Sequence, residues 1–317
     1  MQNPKSMDAH TTIKVIGIGG AGGNAVDRMA QCKIKGIDLI AVNTDAQDLK
    51  KIKADVKIRI GKESTQGLGA GMNPDVGRRA ALESKEELQA VLNGADMVFL
   101  AAGLGGGTGS GAIPVIAEMA KAQDILTIAV VTRPFSFEGA WRARLADRAL
   151  EELKGKIDTL LVIPNDQALK LINQDTSVIS AFWKVDEILR QAVQGISDLI
   201  VLPGIINVDF ADLRSIMRNS GKAVFGLGQA KGEKRIEAAL DSALNSPLLN
   251  MSIKGAKGAL FNIAGNDDLS LTEIEEAAQK MKSELSPQAK IIFGAVQDKS
   301  LKPGEVRITV IATGFPE

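Results

Sequence analysis

Residues Gly103-Leu104-Gly105-Gly106-Gly107-Thr108-Gly109-Ser110-Gly111 follow directly on the apolar run Met97–Ala102. Six glycines in nine positions cost conformational entropy and add almost nothing to a core. Such a run makes sense where the backbone wraps closely round a ligand, amides inward and no Cβ in the way. The apolar stretch Ala112–Ala122 reads as a helix, so the loop runs from a buried strand into a helix N-terminus. That is an anion site, suited to a phosphate chain. A second cluster, Gly17-Ile18-Gly19-Gly20-Ala21-Gly22, ends another apolar strand. Two further pairs carry charge at helical spacing. Glu138 and Arg142 are one turn apart and face the same side. Asp209 and Asp212 share a face if Asp209 begins a short helix anchored inward by Leu213 and Ile216; read alone, Asp209 is a helix cap.

What is missing narrows the chemistry. The single histidine, His10, sits in a polar leader over residues 1–11 that reads as disordered. Ser-His or Cys-His nucleophilic catalysis and His-based metal sites therefore have no residues to use. The single Cys32 excludes a disulfide framework and a thiolate cluster, and among helical residues it is expected to be buried or half-buried. Lys+Arg and Asp+Glu both number 38, so there is no global basic field for nucleic acid or acidic lipid. No N-terminal segment resembles a signal peptide and no apolar run reaches membrane-spanning length, which predicts a soluble cytoplasmic protein without direct membrane contact.

The elements that must position these groups alternate. Strands are expected at Ile13–Ile18, Ile37–Val42, Val56–Ile60, Met97–Ala101, Ile125–Val131 and Thr159–Ile163, with helices at Asn24–Lys33, Asp75–Leu92, Ala112–Ala122 and Trp141–Lys154. This is an α/β, Rossmann-like parallel sheet covered on both faces. Its ligand crevice lies where loops leave the strands' C-terminal ends, at 19–23, 43–45, 67–74 and 103–111. Val178–Ile200 is a long connecting helix. Beyond Pro203, strands at Ala223–Leu227, Ala259–Ile263, Ile291–Val296 and Val306–Thr313 with helices Lys234–Leu244 and Leu271–Leu285 read as a smaller α+β sandwich. The expected partition is a leader over 1–11, a nucleotide-binding domain over 12–176, a central helix over 177–202 and a C-terminal domain over 203–317.

Gly17–Gly22 fits G-x-G-x-x-G after a strand, with Asp45 as a nominal ribose acid, which alone favours a dinucleotide enzyme weakly. A second glycine turn on the same crevice suits a mononucleotide with a longer phosphate chain instead. There is no G-x-x-x-x-G-K-[ST], so an ordinary P-loop NTPase is excluded by motif.

Gly105–Gly111 (GGGTGSG) is the signature of the tubulin/FtsZ family, which the chain resembles from Lys14 to Phe315 in the form of the family's bacterial cell-division members. The supporting blocks are Gly19–Val26 (GGAGGNAV), Val42–Gln47 (VNTDAQ), Thr132–Gly139 (TRPFSFEG), Val162–Asp166 (VIPND), Gln191–Ile200 (QAVQGISDLI), Pro203–Asp212 (PGIINVDFAD) and Ile308–Phe315 (ITVIATGF). The resemblance implies a GTPase that polymerises head to tail into the mid-cell division ring and hydrolyses GTP at the contact between subunits.

It also implies roles. Gly20, Ala21, Gly22 and Gly23 with Gly105, Gly106, Gly107, Thr108 and Gly109 would form the phosphate loops, the Thr108 and Ser110 hydroxyls adding donors, and Gly19, Asp45, Gly71, Met72 and Gly103 would also bind the nucleotide. Glu138 and Arg142 would hold the ribose and its surroundings, Pro134 would also bind the nucleotide, and Asn24, Asn165 and Asp186 would contact guanine with Phe182 packed on the base. Asn207, Asp209 and Asp212 would form the synergy loop that reaches the neighbour's gamma phosphate. The cofactors implied are GTP/GDP and Mg²⁺, with K⁺ as a further candidate; the metal is held by phosphates and water rather than by protein ligands. Met72 stands where the family has glycine, Asp75 replaces a glutamate, and Ala140-Trp141 replaces a basic pair. Trp183, Arg144, Asp147 and Ala149 depart as well. Met72 and the Trp141 region motivate a second reading, a structural or regulatory relative that binds nucleotide without hydrolysing it. The chain stops at Glu317, and a truncated core is expected, without the tail through which such proteins dock other division proteins.

Overall fold

The computed structural model describes residues 11–34, 36–171, 176–202, 204–206, 208–249, 252–299 and 301–315. His10, nearly all of the expected leader and Asn207 lie outside the described residues.

Six parallel strands, β1 (Ile13–Ile18), β2 (Ile37–Asn43), β3 (Val56–Arg59), β4 (Met97–Gly103), β5 (Leu126–Arg133) and β6 (Thr159–Pro164), lie in the order β3-β2-β1-β4-β5-β6. Between them run α1 (Gly19–Gln31), α2 (Ala46–Lys51), α3 (Lys62–Thr65), α4 (Pro74–Glu83), α5 (Lys85–Leu92), α6 (Gly107–Ala122) and α7 (Ala140–Leu153), followed by α8 (Asn165–Leu169) and α9 (Val178–Val201). The strands read as continuous apolar runs because both faces are covered. Ile13, Val15, Met97 and Phe99 pack toward α1 and α9, while Ile16, Ile18, Val98 and Leu100 pack toward α4 to α7.

The second half comprises β7 (Gly204–Ile206), α10 (Phe210–Met217), β8 (Gly221–Lys231), α11 (Arg235–Leu244), β9 (Gly258–Gly265), α12 (Leu271–Glu284), β10 (Lys290–Gln297) and β11 (Glu305–Thr313). β11 runs antiparallel to β8 and β9, and β9 runs parallel to β10. A short parallel pairing of Thr159–Leu161 with Gly221–Ala223 joins the two halves into one sheet of eleven strands. α11 and α12 cover one face of the second half. The stripe Val185, Ile188, Leu189, Ala192, Ile196 and Leu199 on α9 packs with strands of both halves, Phe225, Leu260, Ile292 and Ile311 included. α9 is thus a layer of the first sheet as well as a connector. Close approach depends on Gly294, where a Cβ would lie 2.2 Å from Leu199 Cδ2.

Four sequence expectations change. The helix expected over Asp75–Leu92 breaks at Ser84, whose Oγ accepts the Gly61 amide at 3.2 Å. The glycine runs are largely helical: α1 starts at Gly19 and α6 at Gly107. Some of their glycines serve packing, since a Cβ on Gly111 would lie 2.0 Å from Pro74 O and one on Gly22 2.2 Å from Ala101 O. Cys32, at the C-cap of α1, is exposed rather than buried. β7 adds a strand to the smaller half that is too short for periodicity to reveal, while α10 is the short helix after Asp209 with Leu213 and Ile216 turned inward. No described helix is long and apolar enough to cross a membrane.

Candidate functional site

The strand order reverses between β1 and β4, so α1 and α6 leave on opposite faces and a crevice opens between their starts. A Cβ on Gly19 (φ +71°) would sit 3.1 Å from the Gly109 amide nitrogen, and one on Gly103 2.7 Å from Ala21 Cβ. The two glycine turns therefore touch. Neither helix start is capped by a side chain: the N-cap residues are Ile18 and Gly106. Two sets of first-turn amides and two positive helix ends thus converge on one spot. A Cβ on Gly106 would meet nothing within 4 Å, which marks an open cradle. Two hydroxyls already have partners. Ser110 Oγ accepts the Gly105 amide at 2.9 Å, which leaves its own O–H to donate, and Thr108 Oγ1 shares a 2.6 Å hydrogen bond with Thr44 Oγ1.

The loops after β2 and before α4 close one side. Asp45 Oδ1 accepts from the Gln47 and Asp48 amides at 2.9 and 3.0 Å, capping α2. Gly71 and Met72 both adopt positive φ, +56° and +58°, and Met72 is exposed. Asn73 accepts from the Asp75 amide at 3.0 Å to cap α4.

On the other side, a Cβ on Gly105 would lie 3.2 Å from Pro134 Cγ and 3.3 Å from Arg142 Cβ. Glu138 and Arg142 form the expected ion pair, and Glu138 Oε1 also accepts the Phe135 amide at 2.9 Å. Phe135 is buried and packs edge-on against Phe182, ring centroids 5.1 Å apart. Phe182 is therefore held at the rim, half in solvent. Asn165 is buried, and its Oδ1 has no hydrogen-bond partner. Asp186 is buried too, 3.8 Å from Arg28 Nε. Burial pushes the Asp186 carboxyl up to about 7, against the pull of Arg28. Arg28 lies in turn over the exposed Trp183 ring, 5.2 Å from its centroid. Asn24, one turn before Arg28 on α1, is exposed.

The acids stand elsewhere. Asp209 occupies the N-cap position of α10, yet its carboxylate makes no capping hydrogen bond. Among the described residues, neither Asp209 nor Asp212 has a side-chain hydrogen bond or ion pair, and both are exposed. α10 is anchored at the opposite end of the strands from the glycine turns: Arg214 and Arg218 reach Asp124, just ahead of β5, and Thr159 Oγ1 at the start of β6 donates to Met217 O at 2.6 Å. Gly103, where β4 enters the second glycine turn, is level with Thr132, six residues beyond Leu126 at the start of β5. The separation along the strands is about 20 Å.

A model of the tubulin/FtsZ family GTPase domain matches residues 12–173, and one of the FtsZ family C-terminal domain matches 221–316. The chain belongs to the tubulin/FtsZ family. An FtsZ dimer from M. jannaschii is 46% identical with a TM-score of 0.94, covering 97% of this chain and 89% of that one. A point-substituted FtsZ from the same archaeon is also 46% identical, TM-score 0.93, covering 96% and 92%. A protofilament of CetZ2 from Haloferax volcanii, 24% identical with a TM-score of 0.81 and covering 97% and 94%, shares the fold. The chain is thus a GTPase by its domain architecture, and the relatives named here are archaeal where its motifs suggested the bacterial members.

Sequence reasoning missed two groups beside the crevice, Arg28 and Asp48, and placed Thr44 there only as part of the 43–45 loop. Arg28 follows Asn24 by four residues, a spacing that places both on one face of α1. Asp48 Oδ2 accepts from Asn43 Nδ2 at 2.9 Å and lies 3.6 Å from where a Cβ on Gly20 would be. Thr44 gave no signal of its own, because its partner is 64 residues away.

Proposed function

We propose that the chain is a head-to-tail filament subunit that hydrolyses GTP only when a second copy docks on its nucleotide face. One observation carries this reading: two unpaired, exposed carboxylates lie at the end of the sheet opposite the glycine turns. A single molecule keeps acids and phosphates apart, while a copy stacked along the same axis brings them together. Such a contact is heterologous and repeats into open filaments. The M. jannaschii FtsZ structure is a dimer and the CetZ2 structure a GTPγS-bound protofilament, which is consistent with assembly of this kind.

The residues present fit a guanine nucleotide. Asn165 Oδ1 is a buried acceptor in need of a donor, which a purine amino group or a ribose hydroxyl supplies. Asp186 accepts from guanine N1–H and the 2-amino group; adenine has an acceptor at N1 and would leave the carboxylate unpaired, a penalty of about 1–3 kcal/mol. Phe182 packs on the base, Glu138 and Arg142 orient the ribose with Pro134 beside them, and Asn24 reaches the base edge. The amides of Gly20–Gly23 and Gly106–Gly109 take the phosphates, with Gly19, Ala21, Gly103 and Gly105 shaping the turns. Asp45, Gly71 and Met72 border the gamma-phosphate end. Among the described residues no group of three or more His, Cys, Asp or Glu is placed to hold a metal ion. Mg²⁺, with K⁺ as an alternative ion, would be held mainly by phosphates and water and would neutralise charge on the transferred phosphoryl group. Asp209 and Asp212, with Asn207 beside them in sequence, orient and polarise the water that attacks in line on the neighbour's gamma phosphate. Neither needs to be a strong base, because phosphoryl transfer asks for positioning and charge neutralisation.

The finer cellular reading belongs to the same proposal: a cytoplasmic protein of the mid-cell division ring of FtsZ type, with domains over 12–176 and 203–317 joined by a helix over 177–202. Light scattering with GTP tests assembly. Filaments should form and shorten as GTP is consumed, and Asp212→Ala filaments should persist; absence of GTP-dependent scattering at any protein concentration would overturn the reading.

A further inference from the structure

We propose that Asp124 is a positioning residue for hydrolysis: from the GTPase half it clasps Arg214 and Arg218 and so sets the pose of the helix that presents Asp209 and Asp212. This rests on the reading that those acids serve the next subunit's nucleotide. Asp124 Oδ2 accepts from Arg214 Nη2 at 2.6 Å, and Oδ1 pairs with Arg218 Nη2. The Asp124 carbonyl accepts from both guanidiniums as well, each at 3.3 Å. One residue thus grips Arg214 in the last turn of α10 and Arg218 at its C-cap, which fixes the end of the helix in rotation as well as along its axis.

Asp124 holds φ +58°, a left-handed conformation unfavourable for a residue with a Cβ. Exposed ion pairs add little to stability. Net stabilisation is therefore a poor reason for an aspartate at this corner, and orientation of α10 is a good one. Neighbouring contacts point the same way. Arg218 Nε lies 3.4 Å from the buried Asp158, whose Oδ1 also accepts the Asn219 amide at 3.2 Å. From the second half, Lys290 Nζ donates to Ser215 Oγ at 2.6 Å, and Ser215 Oγ donates to the carbonyl of Asp212 at 2.6 Å. Both halves of the chain thus hold the helix that begins with the acids, and Asp124 is the contact with a carboxylate to spare for two partners. Loss of the clasp lets α10 turn on its apolar anchors Leu213, Ile216 and Met217. A displacement of about 1 Å in a positioned group is enough to cost up to about a hundredfold in rate.

The test is a donor assay. Subunits carrying Asp212→Ala, in excess, hold GTP but lack a complete acid pair, so added turnover comes from a minority of donors that are wild-type, Asp124→Asn or Asp124→Gly. Asparagine tolerates the left-handed backbone and removes only the charge; glycine removes the backbone strain as well. The expected result is a drop of about fivefold or more in turnover per donor for both variants. KM for GTP, and nucleotide affinity in dilute solution, should stay within about twofold. Wild-type turnover per Asp124→Asn donor overturns the proposal, and so does a drop matched by an equal loss of nucleotide affinity. A homogeneous Asp212→Ala protein that turns over GTP like wild-type would instead overturn the reading of the acids themselves.

Discussion

Asp186 on α9 and Arg28 on α1 lie 3.8 Å apart, too loosely paired to offset the burial of the carboxylate. The buried Asp186 carboxyl is thereby pushed up to about 7, and in its proposed role guanine would have to compete with a proton.

Folding raises the Asp186 carboxyl from the ordinary 3.8 to about 7. The unfolded chain gives up this proton first as pH rises, so stability from this group is full below pH 4, declines across about pH 4 to 7, and levels off above. Asp186→Asn should flatten that decline and raise the urea midpoint of nucleotide-free protein at pH 8. Guanine N1–H donates to the ionised form, so wild-type GTP affinity should climb as pH rises through 7. In Asp186→Asn it should be weak and pH-independent, as calorimetry at pH 6 and 8 would register.

Asn165 carries a buried acceptor without a donor. Its truncation removes an unsatisfied group, so Asn165→Ala should leave nucleotide-free stability within about 1 kcal/mol of wild-type. GTP affinity should fall about tenfold, or about 1.4 kcal/mol. A titration showing unchanged affinity would remove Asn165 from the base site.

Met72 sits at φ +58° in an exposed loop where a glycine would be unstrained. Met72→Gly should relieve about 1 kcal/mol of backbone strain, partly offset by the added freedom of the unfolded chain. Chemical denaturation should show a midpoint equal to or above wild-type; a clear fall would mean that the Met72 side chain packs on something in solution.

Gly111 faces Pro74 O, and a Cβ would come within 2.0 Å of it. Gly111→Ala should force α4 and α6 apart and destabilise the protein by about 1–3 kcal/mol, read as a lowered thermal midpoint. A wild-type midpoint would show that the two helices separate freely.

The parallel sheet was legible because strands such as Met97–Ala102 are continuous apolar runs between helices. The glycine clusters were legible as a site, but composition does not say which glycines line a cradle and which let helices touch. Gly22 and Gly111 belong to the second kind, and only the positions of Ala101 O and Pro74 O reveal it. Asp209 illustrates a different limit. Its N-cap position follows from spacing, whereas the freedom of its carboxylate depends on where its neighbours' side chains go. The continuity of the sheet through Thr159–Leu161 and Gly221–Ala223 joins segments about 60 residues apart, beyond the reach of local pattern. Contacts of this range also explain why Arg28 and Asp124 escaped notice.

Steady-state GTP turnover measured across protein concentration, for wild-type and Asp212→Ala, addresses the shared site most directly. A site completed by a neighbour gives almost no turnover below a threshold and a steep rise above it, and the rise disappears in Asp212→Ala. Turnover strictly proportional to protein concentration down to the most dilute samples would mean that each molecule cuts GTP alone, and the shared site would have to be abandoned.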